Sequence, residues 1–177
     1  MLQLSELKLI PAYFLEWIME NIDEKGESIH LGEGKIWTLC EEDVERVYKI
    51  PRGPLKIDLE KESKQARDRL REEIGLQGVD KGTRVATSIL ESAMVKIDND
   101  GSWVKAAILF FIGSLLCPRD HAEISLKYAF LLEQDLERIK SYNWCSHVLE
   151  HTTKALATKT RTNTKANFHF LLVSIYN

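Results

Sequence analysis

The strongest constraint on this chain is a twelve-residue apolar run, Ala106 to Cys117 (AAILFFIGSLLC), closed by Lys105 on one side and Pro118 on the other. Twelve residues of helix span about 18 Å, well short of the roughly 30 Å hydrocarbon core of a bilayer. The run therefore predicts a helix buried in a protein interior rather than a membrane span, with Pro118 as its stop. At 177 residues, 44% hydrophobic and 29% charged, the chain is long enough to bury such a helix. The same composition excludes disorder, collagen-like repeats and a disulfide-dense miniature scaffold.

Around this run the hydrophobic spacing is mostly helical. Phe14, Trp17, Ile18 and Ile22 recur at one helix face, predicting a helix over 11–22 with Glu16 and Glu20 toward water. Ile29-His30-Leu31 and Lys35 to Leu39 flank Gly32-Glu33-Gly34, the pattern of a small β-hairpin. A helix is predicted from near Cys40, where Glu41, Glu42 and Asp43 complement the helix dipole, and Pro51-Arg52-Gly53-Pro54 stops it. Val85, Ile89, Ala93 and Ile97 restart the helical period, and Asp98 to Gly101 reads as a turn before the apolar helix. Tyr128, Leu131, Leu132, Leu136 and Ile139 predict a single amphipathic helix, Asn143 is a good N-cap for a helix over 144–156, and the sequence closes on apolar FHFLLVSIY. The expected fold is mainly α, a compact multi-helix domain over 1–177 with one small β-hairpin near the N-terminus. Residues 58–82, with KESKQARDRLREE at their centre, are expected to be a charged connector or exposed helix.

The net charge of −3 hides a polarity. Residues 1–45 hold eleven acidic and three basic side chains, a net −8, which leaves +5 on the rest. The basic part is concentrated in TTKALATKTRTNTKAN, residues 152–167, where Lys154, Lys159, Arg161 and Lys165 stand among six threonines and no acid. Lysine and arginine neutralise phosphates and threonine hydroxyls bond phosphate oxygens, so this segment is the candidate contact for nucleic acid or another partner. The plainer reading is a polar loop between helices, since no aromatics interleave the cations.

Chemistry-bearing motifs are sparse. Cys40, Cys117 and Cys145 match neither a disulfide framework nor a Cys-x-x-Cys pair, which fits a reducing nuclear or cytoplasmic setting, and no secretion signal opens the sequence. Cys145, His147 and His151 are the best metal candidates, yet two helical residues turn about 200°, which points Cys145 away from His147. Gly32-Glu33-Gly34-Lys35 lacks phosphate-loop spacing, and Glu41 to Glu45 is read as cap and dipole chemistry. The expectation is no enzyme, no cofactor and no bound metal.

Two stretches carry a family resemblance. The first, 12–57, offers Trp17, Asn21, Asp23, Glu42, Asp43, Val44, Pro51 and Gly53; the second, 110–156, offers Gly113, Leu116, Cys117, Pro118, Ser125, Tyr128, Asp135, Ile139, Asn143 and Trp144. In this order they resemble the plant mobile domain, a transposon-derived family also labelled aminotransferase-like in plants. A related helical domain precedes the protease domain in plant SUMO-protease-like proteins. Cys40 departs from the threonine or serine that the family has at that cap. On the bottom-up reading, Trp17, Val44 and Trp144 are core anchors, Asp43 and Asn143 serve helix N-termini, and Pro51, Gly53 and Pro118 end elements. The resemblance implies a non-enzymatic protein-interaction module, nuclear or cytoplasmic, without membrane attachment. The alternative is a nucleic-acid or chromatin-binding module using 154–165, and a homo-oligomer is compatible with either.

Overall fold

Eight α-helices and four short strands form among the residues that the computed structural model describes, 12–79, 82–119 and 122–158. Helix α1 (Ala12–Asn21) leads into the hairpin β1 (Ser28–Gly32) and β2 (Lys35–Thr38). The strands are antiparallel, with Ile29 opposite Trp37 and His30 opposite Ile36. Glu33 and Gly34 both have positive φ, 51° and 76°, the backbone that a tight hairpin turn demands. Asp23 holds the α1–β1 corner: its N–H donates to the Ser28 carbonyl at 2.9 Å and its Oδ1 accepts from the Glu27 N–H at 2.8 Å. Desolvation raises the pKa of its carboxyl, but the backbone N–H groups of Glu27, Ser28, Gly26 and Lys25 that face it outweigh this and hold it below the ordinary carboxylate range.

Helix α2 (Glu41–Tyr48) starts at Cys40, as its acidic first turn predicts. The cap is made from the other side: the Asp43 carboxylate accepts from the Cys40 N–H at 3.1 Å and from its thiol at 3.2 Å. The missing cap hydroxyl is thus compensated by the residue three positions on. Lys49, at φ 55°, ends the helix in the left-handed region.

The charged stretch 61–73 becomes α3 (Lys64–Glu73), capped by Ser63, whose hydroxyl accepts from the Ala66 N–H at 3.0 Å. It is more than an exposed helix. Ala66 and Leu70 are buried along one edge, Ile74 and Leu76 follow them into the core, and the Arg71 guanidinium donates to the Gly82 carbonyl at 2.7 Å. Next come β3 (Arg84–Ala86), α4 (Thr87–Met94) and α5 (Asp100–Phe111). Val85 therefore lies in a strand rather than a helix, and α4 buries Leu90 and Ala93 while Ile89 faces outward. The residues read as a turn, Asp100 and Gly101, open α5 instead, because Asn99 caps it by accepting from the Ser102 N–H at 3.1 Å.

The apolar run continues through a π-turn, Ile112–Leu116, whose widened bond runs from the Cys117 N–H to the Ile112 carbonyl at 2.7 Å. Pro118 follows as the predicted stop. Strand β4 (Glu123–Ser125) then pairs antiparallel with β3, a second ladder absent from the sequence-based expectation. The single helix expected over 128–139 is instead a 3-10 turn (Leu126–Tyr128), α6 (Ala129–Leu132) and α7 (Leu136–Lys140). Asp135 makes the break: in extended backbone, its side chain accepts from the Arg138 N–H at 2.7 Å and begins a new helix. Helix α8 (Trp144–Ala157) closes the described part.

The expected mainly helical domain with a small antiparallel hairpin is what forms. Ile18, Val44, Leu90, Leu109, Ile124, Leu131 and Val148 are fully buried in one cluster that draws on residues throughout the described part. Burying each such side chain contributes roughly 1.5–3 kcal/mol.

Candidate functional site

The motif residues of the two sequence blocks meet in space. The segment after α2 zips onto the segment before α8: the Gly53 N–H donates to the Tyr142 carbonyl at 3.1 Å, Leu55 to Ser141 at 3.1 Å, Asn143 to Leu55 at 2.7 Å and Trp144 to Pro51 at 3.1 Å. Asn143 caps α8 by accepting from the Ser146 N–H at 2.9 Å, and its amide donates to Glu41 at 3.1 Å. Arg52 lies among Glu41, Glu42 and Glu45, closing the acidic face of α2 over this junction. Asp43 is buried and paired with Arg46 at 2.6 Å, Val44 is fully buried, and Trp17 is half-buried, stacked on Phe14. Pro51, Gly53, Asn143 and Trp144 form a structural joint; at the start of α2 Asp43 has the cap role expected there, and the pairing of Glu41, Glu42 and Glu45 with Arg52 is an addition.

A small cavity of about 140 Å³ opens beside that joint, lined by Pro54, Lys56, Ile57, Asn143, Ser146, His147 and Glu150. His147 Nε2 lies 2.9 Å from the Tyr128 hydroxyl, and the Cys117 thiol is buried close to that phenol. Burial holds all three groups in their neutral forms, pushing the thiol up to about 12, the phenol well above its usual range and the imidazole down to about 4. The arrangement is a hydrogen bond between neutral Tyr128 and His147, with the imidazole packed edge-on against Trp144. It also carries a pH signature. Below the unfolded imidazole pKa near 6.5, the unfolded chain takes up a proton that the folded ring refuses until about pH 4, so stability falls through that window and levels off beneath it. Urea midpoints should show a loss of about 2–3 kcal/mol from His147 between pH 7 and pH 4. A His147→Gln variant should lose that much less across the same range.

The candidate metal residues Cys145 and His147 are engaged separately. Cys145 is buried with its thiol directed to the Ile50 carbonyl at 3.4 Å, its pKa raised to about 11 chiefly by burial, while His147 is engaged by Tyr128. Among the described residues no group of three His, Cys, Asp or Glu side chains converges. Of the basic segment, Lys154 lies on α8, exposed and 3.8 Å from Glu150; Lys159, Arg161 and Lys165, like the apolar closing stretch, lie outside the described residues. Lys154 shares a wide groove with Lys56, Lys61 and Arg138, but Asp58, Glu60 and Glu150 line it too.

A surface that sequence reasoning missed lies on α5. The apolar helix is buried on one side only. Ala106 and Leu109 face the core, whereas Trp103 is 46% and Phe111 41% exposed. With Ala107 between them at successive four-residue steps, and half-buried Val104 and Ile108 alongside, they form an apolar stripe along the outer face. The signal was present in the sequence, since a helix apolar on all sides seeks cover on all sides. Asp100 and Lys105 are the charged residues of α5, and Lys105 is bound to Glu73 at 2.5 Å. Among the described residues no helix is long and apolar enough to cross a membrane.

A family model described as a domain of unknown function (DUF8566) matches residues 1–171. Searches of curated proteins and of solved structures find no match.

Proposed function

Starting from the fact that the chain belongs to this family of unknown function, DUF8566, we propose that it is a non-enzymatic protein-interaction module that docks a partner on the outer face of α5. The observation that carries this reading is the apolar stripe of Trp103, Ala107 and Phe111, because isolated apolar side chains are common on surfaces but a continuous stripe on one helix marks a contact. The kinship with the plant mobile domain belongs to the same proposal. It rests on the two motif blocks, whose residues Pro51, Gly53, Asn143 and Trp144 meet at one joint. A nuclear or cytoplasmic setting goes with it. The test is capture from plant extract on the immobilised full chain, wild type against Ala107→Glu, read by mass spectrometry. The reading expects proteins held by the wild type and lost by the variant; identical captured sets would sink it.

The second reading, a nucleic-acid or chromatin binder, is favoured by four cations around one groove. Three carboxylates in the same groove, two lysines of which pair with Glu150, weigh against it. A mobility shift that weakens with salt and disappears on Lys159→Glu with Arg161→Glu supports it; no shift at low salt removes it.

A further inference from the structure

We infer that the outer face of α1 is a further docking surface, separate from α5, and that it takes an arginine-rich segment of a partner protein. Tyr13, Glu16, Trp17 and Glu20 fall at i, i+3, i+4 and i+7 on α1 and, with Phe14, line one open groove. Tyr13 is 72% exposed, the most open aromatic side chain among the described residues. Phe14 and Trp17 are stacked beside it, with ring centroids 5.8 Å apart and planes within 12°.

Charge selects the occupant. Helix α1 holds no lysine or arginine, and Glu20 stands in its last turn, where the negative end of the helix dipole already disfavours a carboxylate. Glu16 and Glu20, four residues apart, repel one another along the same face. Glu20 has no ion pair among the described residues, and neither the Tyr13 hydroxyl nor the Trp17 indole N–H has a hydrogen-bond partner there. The acidic cluster on α2 differs, because Arg52 already answers it. In the α1 groove a guanidinium meets both demands at once: its planar fork pairs with a carboxylate while its flat face lies on an aromatic ring. An ammonium offers only the first of these in full, and phosphates or acidic peptides are repelled.

Fluorescence anisotropy of a labelled arginine–serine repeat peptide, titrated with the full chain up to about 1 mM, reads this directly. The expected result is saturable binding that weakens with salt. Glu20→Gln and Tyr13→Ala should each weaken it about 2–5-fold with circular dichroism unchanged, and a lysine–serine repeat should bind less tightly than the arginine peptide. Glu33→Gln removes the same charge from the hairpin turn and should leave binding as in the wild type, as should Ala107→Glu on α5. No binding over that range, or binding that falls as much with Glu33→Gln as with Glu20→Gln, overturns the inference. Undiminished binding by Tyr13→Ala overturns it too, since the contact would then reduce to net charge.

Discussion

Gly53→Ala is expected to destabilise the protein by about 3–5 kcal/mol, a large share of the 5–15 kcal/mol of an ordinary domain. A Cβ at this position would lie 2.1 Å from the Ser141 carbonyl oxygen and 2.3 Å from its carbon, a clash with backbone that no rotamer change relieves. The 141–144 segment would have to move away, and four backbone hydrogen bonds run between it and residues 51–55. Each is worth a net 0.5–1.5 kcal/mol or so, and those left unmade in the interior cost more. The sign is the informative part, because Gly→Ala at an unstrained position usually stabilises by reducing the entropy of the unfolded chain. Gly101→Ala is the control. It sits in the first turn of α5, where the nearest atom to an added Cβ is the Asn99 side chain at 3.2 Å, so the expected change is within about 1 kcal/mol. Denaturant unfolding of the two variants side by side measures the difference; a Gly53→Ala protein as stable as the wild type would mean that 51–55 and 141–144 are not in contact.

Trp144→Ala is the second large effect, with an expected loss of about 3–5 kcal/mol. The indole is 5% exposed and does three things at once. It fills the core under α8, it packs against Tyr128 and His147 with ring centroids 6.5 and 6.4 Å away, and its Nε1–H donates to the Ile139 carbonyl at 2.9 Å. Trp144→Phe keeps most of the volume and loses the donor, leaving the Ile139 carbonyl with only the longer bond from the Tyr142 N–H at 3.4 Å, so it should cost about 1–2 kcal/mol. The alanine variant should also disturb the imidazole that the indole abuts, and with it the loss of stability between pH 7 and pH 4. Thermal unfolding of both variants at pH 7 and pH 4.5 separates the cavity from the lost hydrogen bond.

What could be read from the sequence was chiefly local chemistry. The cap at Asn143, the hairpin around Glu33 and Gly34, the acidic start of α2 and the stop at Pro118 each depend on a few adjacent residues, and each forms as expected. Non-local events were not visible. The β3–β4 ladder joins two three-residue strands almost forty positions apart, too short for alternation to register. The break at Asp135 was hidden because Tyr128 to Ile139 keeps a helical apolar spacing straight through the cap, and two short helices can share one buried face. Leu90 displaced Ile89 from the core because Val85, taken as the start of the helical period, is held in a strand by Ile124. The exposed face of α5 was not read from the sequence. The Ala106 to Cys117 run was read as wholly interior, whereas α4 packs on one side of α5 and leaves Trp103 and Phe111 in water.

The central claim, that partners dock on the outer face of α5, is tested most directly by the tryptophan indole N–H signals in a nitrogen–proton correlation spectrum. The chain has four tryptophans, so four signals report on four distinct places. On adding a captured partner, the Trp103 signal is expected to shift while that of Trp144, bonded to Ile139, stays in place. A Trp103 signal that stays fixed while Trp17 or Trp37 moves would contradict the account and transfer the contact to α1 or the hairpin.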